Sequence, residues 1–196
     1  MKNLLRFAGA LAALVGAGTA SAHHSGSMFE TAGLWVQGSF VEFQRINPHT
    51  ILTLEDSNAD GQVQRWAVEG VSVPQLERQG LTENFLTEFL HVGDAVELCA
   101  FPLKQEFSSA PDGAPPFVHG KVIRLADGTM RMWGPYGAIV LCVRPNDEPE
   151  MWLNFLNTRP LARTAWCRRF VNPLPEPPGT SELIEEISRR MDSPCD

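Results

Sequence analysis

The chain contains no hydrophobic run of the length that a membrane-spanning helix needs, which is about 20 residues. It also has no C-x-x-C pair, no G-x-S-x-G motif and no glycine-rich phosphate loop. These absences argue against a zinc ribbon, an α/β-type serine hydrolase and a P-loop nucleotide-binding protein. Basic residues are few, because 16 Lys and Arg stand against 23 Asp and Glu, for a formal net charge of −7. Such a chain lacks the basic surface that nucleic-acid phosphates require, so we expect no nucleic-acid partner.

The first 22 residues have the order of a secretory signal peptide. Lys2 and Arg6 precede a short uncharged run of small and apolar residues. Ala20-Ser21-Ala22 then forms the small-x-small pattern of a signal-peptidase cleavage site. We therefore expect cleavage after Ala22 and a mature chain that begins at His23. The same pattern predicts a periplasmic or secreted location, with no stable membrane insertion after cleavage.

Four cysteines are present, an even number in a chain that we expect to be exported. Disulfides are permitted in an oxidising compartment, and four cysteines allow three connectivities. We predict a bridge between Cys142 and Cys167. Cys99 with Cys195 is then the remaining pairing, and we expect Cys99 to be buried in a strand.

The part of the chain after residue 22 begins with a short polar arm, His23 to Thr31, and continues with three segments rich in aromatic and β-branched residues. These segments are Leu34 to Ile46, Asn47 to Asp56 and Gln62 to Gly70. We predict a strand from each, with the second and third joined as a hairpin. Gly38 lies inside the first and indicates a bulge or sharp bend.

Helix signals follow, and then strand signals return. Ser72 as a cap, Pro74 in the first turn and Gly80 past the end predict a short helix, and a second helical stretch leads to Gly93. Two more strands follow, the second of which includes an Asp127-Gly128 turn and a return. The order of three strands, a helical segment and two strands is that of a five-stranded Greek-key barrel of the OB type. We therefore predict a mainly β fold, with an OB-like barrel over residues 23–133.

Residues 134–196 are predicted to form a C-terminal extension to that barrel. Ala138 to Val143 has the composition of one more strand, and the proline-rich stretch Pro173 to Gly179 is typical of a stiff linker. Thr180 to Arg190 has acids first, arginines last and one apolar stripe, which predicts an amphipathic terminal helix. We expect this helix to pack on its own barrel; a partner contact is the alternative.

Five ordered motifs resemble a family of small exported bacterial proteins of unknown function. The matching residues are Ala22-His23-His24-Ser25 with Met28-Phe29, Asn47-Pro48-His49, Trp66 with Glu69, Pro74 with Leu76, Arg78 and Gly80, and Gly93-Asp94 with Val96. The resemblance covers about Ala22 to Met132 and implies an exported barrel, with no activity to carry over. This chain departs from the family pattern in having Arg45 before the NPH motif and a longer helical segment before Gly93.

The predicted hairpin brings two of these motifs together. If Asp56 pairs with Gln62, then His49 falls opposite Glu69. The same register turns Leu52 and Leu54 inward and places His49 and Glu69 on the outer face at the rim of the barrel. A hydrogen bond between imidazole and carboxylate is the structural interpretation of that pair.

A metal site is the functional interpretation. A free N-terminal histidine chelates copper through its amine and its ring, and His24 and His49 would add further nitrogen ligands. Glu69 would orient a ligand from behind. The hypothesis thus assigns His23, His24 and His49 as metal ligands, with copper as the possible cofactor. His91 and His119 are interpreted as ordinary surface residues.

Three functional classes stay open on this basis. The first, which we favour, is an exported non-catalytic binding or accessory protein with an unknown small ligand or protein partner. The second is a periplasmic copper-binding protein that uses the mature N-terminus. The third is a copper-dependent redox enzyme, which needs the same site and an open position for oxygen. Tight one-to-one copper binding separates the first from the others.

Overall fold

The computed structural model describes residues 28–57, 60–108, 114–135, 137, 139–171, 173–193 and 195, and of Phe85 only the backbone. Five strands close a barrel: β1 (Leu34–Gln44), β2 (Ile51–Ser57), β3 (Val63–Glu69), β4 (Ala95–Pro102) and β5 (Phe117–Leu125). β1 pairs antiparallel with β2 and β4, β2 with β3, and β4 with β5. A parallel pairing of β3 with β5 closes the barrel. The short strand β6 (Met130–Met132) pairs with Val122–Arg124 of β5, on the edge opposite β4 and beyond the residues that pair with β3. The predicted five-stranded Greek-key barrel is confirmed.

β1 has 11 residues and bends along its length, so that its first half pairs with β4 and its second half pairs with β2. Its register with β2 shifts between Phe40 and Glu42, which is the irregularity that the strand needs to turn. Gly38 lies against the backbone of β2, where an added Cβ would come 2.6 Å from the carbonyl oxygen of Glu55. The glycine inside this strand therefore permits a close backbone approach next to the bend.

Two short helices lie between β3 and β4, as the sequence predicts: α1 (Val73–Arg78) and α2 (Glu83–Phe89). Leu76 of α1 and Leu86 of α2 belong to the core inside the barrel, together with Leu52 and Leu54 of β2. Gly80 has φ of +85° at the end of α1, a conformation that costs other residues free energy. The helical segment thus adds buried Leu76, Leu81 and Leu86 to the barrel core.

A second core lies between the outer face of the barrel and three C-terminal helices, α3 (Pro149–Thr158), α4 (Pro160–Val171) and α5 (Ser181–Arg190). Trp152 and Trp166 are fully buried there, with ring centroids 5.8 Å apart. Ile184 and Ile187 of α5 are buried in the same core, so the apolar stripe of the terminal helix packs within its own chain. None of the helices in the described residues has the length and apolar character for crossing a membrane.

The strand predicted from Ala138 to Val143 is wrong. Residues Ile139–Cys142 form a 3₁₀ helix, and all four side chains are buried. A short apolar run has no periodicity that separates a strand from a buried helical turn, which is why the sequence pattern misled.

The predicted disulfide connectivity is also wrong. Cys99 is bonded to Cys142, and Cys167 to Cys195. The first bridge joins β4 to the 3₁₀ helix within the second core. The second joins α4 to the residues that follow α5, which packs in the same core. The positions of these segments, which residue spacing does not reveal, decide the pairing. Two disulfides are in keeping with an oxidising compartment.

The hairpin register differs from the prediction by one residue at each end of the turn. Asp56 pairs with Gln64 and Ser57 with Val63, so Ile51 rather than His49 stands opposite Glu69. The turn keeps its five residues but begins one residue later, because Ser57 continues β2. Leu52 and Leu54 are fully buried, since this displacement preserves which side of the strand each residue faces.

Candidate functional site

A cleft of about 520 Å³ lies beside the pairing of β3 with β5. Most of its walls are apolar, formed by Phe29, Pro48, Val71, Phe101, Pro135, Leu141 and Leu174. Its basic lining residues are His49, His119 and Lys121, and Glu30 also lines it. A cleft of this size with a few convergent polar groups is the usual form of a small-molecule site.

His49 and Glu69 do lie together in the structure. His49 Nδ1 is 3.4 Å from Glu69 Oε1 and 3.3 Å from the carbonyl oxygen of Gly70. Glu69 keeps the predicted side of its strand, since its neighbour Val68 belongs to the core inside the barrel, but the expected surface exposure is wrong, because Glu69 is only 2% exposed. The closure of the barrel explains this burial, since β5 covers the end of β3. His23 and His24 lie outside the described residues.

His119 is the residue that the sequence interpretation missed. It stands opposite Glu69 in the parallel pairing of β3 with β5, and its Nδ1 is 3.3 Å from Glu69 Oε2. Its side chain is 13% exposed, so the expectation of an ordinary surface residue is wrong. The sequence contained one signal that was not used. His119 lies two residues before Lys121 in a predicted strand, and alternate residues of a strand share a face, so the two side chains could be expected to lie side by side.

One buried carboxylate therefore contacts two imidazoles, one through each oxygen. Glu69 Oε2 accepts the hydrogen bond of His119 Nδ1, and the Gly70 carbonyl oxygen accepts that of His49 Nδ1, so both rings favour the tautomer with hydrogen on Nδ1 and leave Nε2 with a lone pair. Burial lowers the pKa of His119 below its ordinary value, although the hydrogen bond to Glu69 opposes that shift. His119 is accordingly neutral at neutral pH, in the form that can accept a hydrogen bond or bind a metal ion.

The beginning of the described chain packs against this cluster. The Phe29 ring lies on the His119 ring, with centroids 4.9 Å apart and planes 33° apart. Phe29 is buried and forms an isolated bridge with Leu103, and Lys104 donates its backbone N–H to the carbonyl oxygen of Met28. The arm predicted to be short and polar thus contributes an aromatic wall of the cleft.

Lys121 brings a cation into this mostly apolar space. Its Nζ lies 5.6 Å from the centroid of the Phe101 ring, and within the described part of the chain it makes no ion pair. Burial lowers the pKa of Lys121 to about 8. A cation that is desolvated without a counter-charge is costly, so the arrangement favours an anionic group in the cleft.

A second groove of about 500 Å³ lies between β1, β2 and the turn after β5. Its one basic lining residue in the described chain is already paired, since Arg124 Nη2 is 2.8 Å from Glu97 Oε2. His91, outside both depressions, is exposed and lies 3.4 Å from Asp94. Across the described ranges, no three His, Cys, Asp or Glu side chains are grouped to hold a metal ion. The cleft with His49, His119 and Lys121 is therefore the candidate site.

The fold and the site define a closed five-stranded β-barrel protein with a basic, apolar-walled cleft. The chain belongs to the family of unknown function DUF6152, whose family model matches residues 11–110. The resemblance stated above is confirmed at that level, and its individual motifs and export stay predictions. No curated protein matches the chain.

Solved structures that are similar to this chain include the two that follow. One is the mitochondrial single-stranded DNA binding protein Rim1 from S. cerevisiae, with a TM-score of 0.36, 18% identity, and coverage of 50% of this chain and 96% of that one. The other is asparaginyl-tRNA synthetase from Pyrococcus horikoshii, with a TM-score of 0.29, 18% identity, and coverage of 72% of this chain and 28% of that one. At these values the likeness says nothing about ligands or activity.

Proposed function

We propose that this protein is an exported, non-catalytic binding protein whose cleft takes a small molecule with an apolar or aromatic body and one acidic group. The single observation that carries this proposal is Lys121, a desolvated cation without an ion pair in the described residues, set among apolar walls. A ligand carboxylate would give that ammonium group the counter-charge it lacks, through a charge-assisted hydrogen bond.

The walls of the cleft support the rest of the ligand class. Phe29, Phe101 and Leu141 would cover an aromatic or alicyclic body, and apolar burial stabilises by about 25 cal/mol per Å². The net charge of −7 supports a small acid over a nucleic-acid partner, because a polyanion would be repelled by the protein as a whole. Export is supported by the signal-peptide pattern and by the two disulfides.

Calorimetric titration with 1-naphthoate and with the neutral analogue 1-naphthalenemethanol tests the proposal. We expect the acid to bind at least tenfold more tightly than the alcohol, and Lys121→Met to remove that preference. Lys104→Met is the matched control, since Lys104 lies outside the cleft, and it should bind like the unaltered protein. Equal affinity for acid and alcohol, or no binding of either, would overturn the proposal.

Copper binding by the mature N-terminus is the second candidate. The packing of Phe29 on His119 favours it, because the chain leaves the described residues beside the histidine cluster. His24 precedes Phe29 by five residues, which an extended chain spans over about 16 Å. We propose the amine and ring of His23, with the rings of His24 and His49, as ligands, and Glu69 as the group that orients His49.

Copper titration of protein that begins at His23, followed by electron paramagnetic resonance, tests this candidate. A form with one extra residue before His23 should lose the chelate of amine and ring and bind more weakly. Equal affinity of the two forms would exclude a terminal site. Turnover that depends on a reductant would move the protein into the class of copper-dependent redox enzymes.

A further inference from the structure

We infer that His119 is a metal ligand, and that His49 and His119 together form a two-imidazole copper site whose rings are positioned by Glu69. This inference deepens the copper candidate, which relies on the N-terminal arm, but it is built from described residues and does not need the arm in order to bind. Its occupant is a transition-metal ion of the kind that imidazole nitrogens prefer, with Cu²⁺ bound most tightly among the divalent ions.

The geometry behind it is the position of one carboxylate between two rings. Glu69 Oε1 lies 3.4 Å from His49 Nδ1, and Glu69 Oε2 lies 3.3 Å from His119 Nδ1. The two rings come from different parts of the barrel, the loop before β2 and the first half of β5, and both line the same cleft. A carboxylate behind a histidine fixes its tautomer and raises its basicity as a ligand, which is the recurring arrangement around protein metals.

A purely structural role explains this arrangement less well. Glu69 ends a strand in the barrel wall, where an apolar residue would pack without a desolvation cost. The buried carboxylate has both oxygens directed at the Nδ1 atoms of rings that line a cleft, instead of at a Lys or Arg. An ion bound to the opposite nitrogens would place positive charge near that carboxylate and would offset the cost of burying it.

Lys121 opposes the binding of a cation at this place. It lies two residues from His119 on the same strand face and lines the same cleft, so its ammonium repels a metal ion. Water molecules or the arm must supply the other coordination positions, since the described residues contain no group of three ligands. We therefore expect modest affinity from the two imidazoles alone and a gain in affinity when the lysine charge is removed.

The test is Cu²⁺ titration with electron paramagnetic resonance on the full mature chain in which His23→Gln and His24→Gln remove the terminal imidazoles. We expect this double variant to bind one Cu²⁺ with nitrogen hyperfine coupling from two imidazoles. Adding His119→Gln should lower the affinity at least tenfold and remove one of the two couplings. His91→Gln is the control, because His91 is exposed and does not line the cleft, and it should change nothing.

Glu69 is tested as a positioning residue on the same background. Glu69→Gln should weaken Cu²⁺ binding by about 10- to 100-fold and alter the resonance parameters of the bound ion. Glu69→Asp, which keeps the charge, should restore part of the affinity. An unaltered spectrum in Glu69→Gln protein that is folded by circular dichroism would show that the carboxylate does not position the ligands.

Lys121→Met separates this inference from the two proposals before it. It should tighten Cu²⁺ binding at least threefold while it weakens 1-naphthoate binding. If the chain with its native histidines binds copper but the His23/His24 double variant does not, and His119→Gln has no effect, the terminal site stands alone and the inference is wrong. If the double variant keeps its copper and the extra N-terminal residue has no effect, the inference stands and the terminal chelate is wrong.

Discussion

His119 and Glu69 face each other across the parallel pairing of β5 with β3, and the imidazole Nδ1 lies 3.3 Å from the buried carboxylate. Glu69 is the last residue of β3, and the pairing of β3 with β5 closes the barrel. This contact therefore exists only in the closed fold. The same carboxylate reaches His49 with its other oxygen. The strand pairing that closes the barrel therefore also brings the residues of the candidate site together.

Replacing Glu69 should affect stability and the histidine tautomers together. Glu69→Gln replaces the carboxylate that accepts the hydrogen bond of His119 Nδ1 with a neutral amide that can present N–H instead, so we expect a loss of about 1–3 kcal/mol in unfolding free energy. Long-range ¹⁵N–¹H correlation spectra of the imidazoles should show Nδ1–H on His119 in the unaltered protein and a changed tautomer in the variant. Glu55→Gln is the control, because it removes a surface ion pair with Arg65 and should cost under about 1 kcal/mol.

Lys121→Met should stabilise the protein at neutral pH while it removes acid binding. Burial holds the pKa of Lys121 at about 8 in the folded protein, against about 10.4 in an unfolded chain. Between these values the unfolded state binds more protons, so the stability of the unaltered protein should rise with pH, by about 2–3 kcal/mol from pH 7 to above pH 10.

Urea unfolding at pH 7 and pH 10 measures this dependence. Lys121→Met should be more stable than the unaltered protein at pH 7 by about 2–3 kcal/mol and should lack this part of the pH dependence. Lys104→Met should keep it. A less stable Lys121→Met variant would contradict the view that Lys121 is retained for binding at a cost in stability.

The disulfides should contribute unequal amounts of stability. Cys99–Cys142 closes a separation of 43 residues and Cys167–Cys195 one of 28. The chain-entropy model gives about 4 kcal/mol for the first and about 3.6 kcal/mol for the second. We expect Cys99→Ala with Cys142→Ala to be the more damaging pair, since both residues are buried in the second core.

Non-reducing peptide mapping and denaturant unfolding check this prediction. Mapping should recover Cys99 with Cys142 and Cys167 with Cys195. Recovery of Cys142 with Cys167 would refute the observed pairing and the order of stabilities with it.

Gly120→Ala should disrupt the interior of the barrel. An added Cβ would lie 2.5 Å from Trp133 Cδ1 and 2.9 Å from Val68 Cγ1, both in buried side chains. Overpacking of this kind costs about 3 kcal/mol because the neighbours have nowhere to move. Gly128→Ala is a contrasting control, since an added Cβ at Gly128 meets nothing within 4 Å. Its φ of +81° is strained for alanine, so we expect this variant to lose about 1 kcal/mol of unfolding free energy. Thermal unfolding of the two variants should rank them in this order, and equal stabilities would show that the interior relaxes.

The fold was largely accessible from the sequence because its signals are local. Aromatic and β-branched residues marked the strands, the short gap between the second and third segments marked the hairpin, and Ser72, Pro74 and Gly80 marked α1. The inward faces of Leu52 and Leu54 followed from strand parity, which the displaced register did not change. The exact register, the helical turn at Ile139–Cys142 and the disulfide pairing were not accessible, since each depends on what packs beside the segment.

Residue types and spacing alone determined that this chain forms a barrel with a histidine and a carboxylate close together, because strand period and turn chemistry act within a few residues of chain. Only the tertiary structure decided that Glu69 is buried, that His119 shares it, and that Lys121 stands without an ion pair among the described residues of the cleft. Glu69 and His119 are 50 residues apart, and no local pattern encodes a parallel pairing over that distance. Their contact depends on barrel closure, because the helical segment and β4 separate β3 from β5 along the chain.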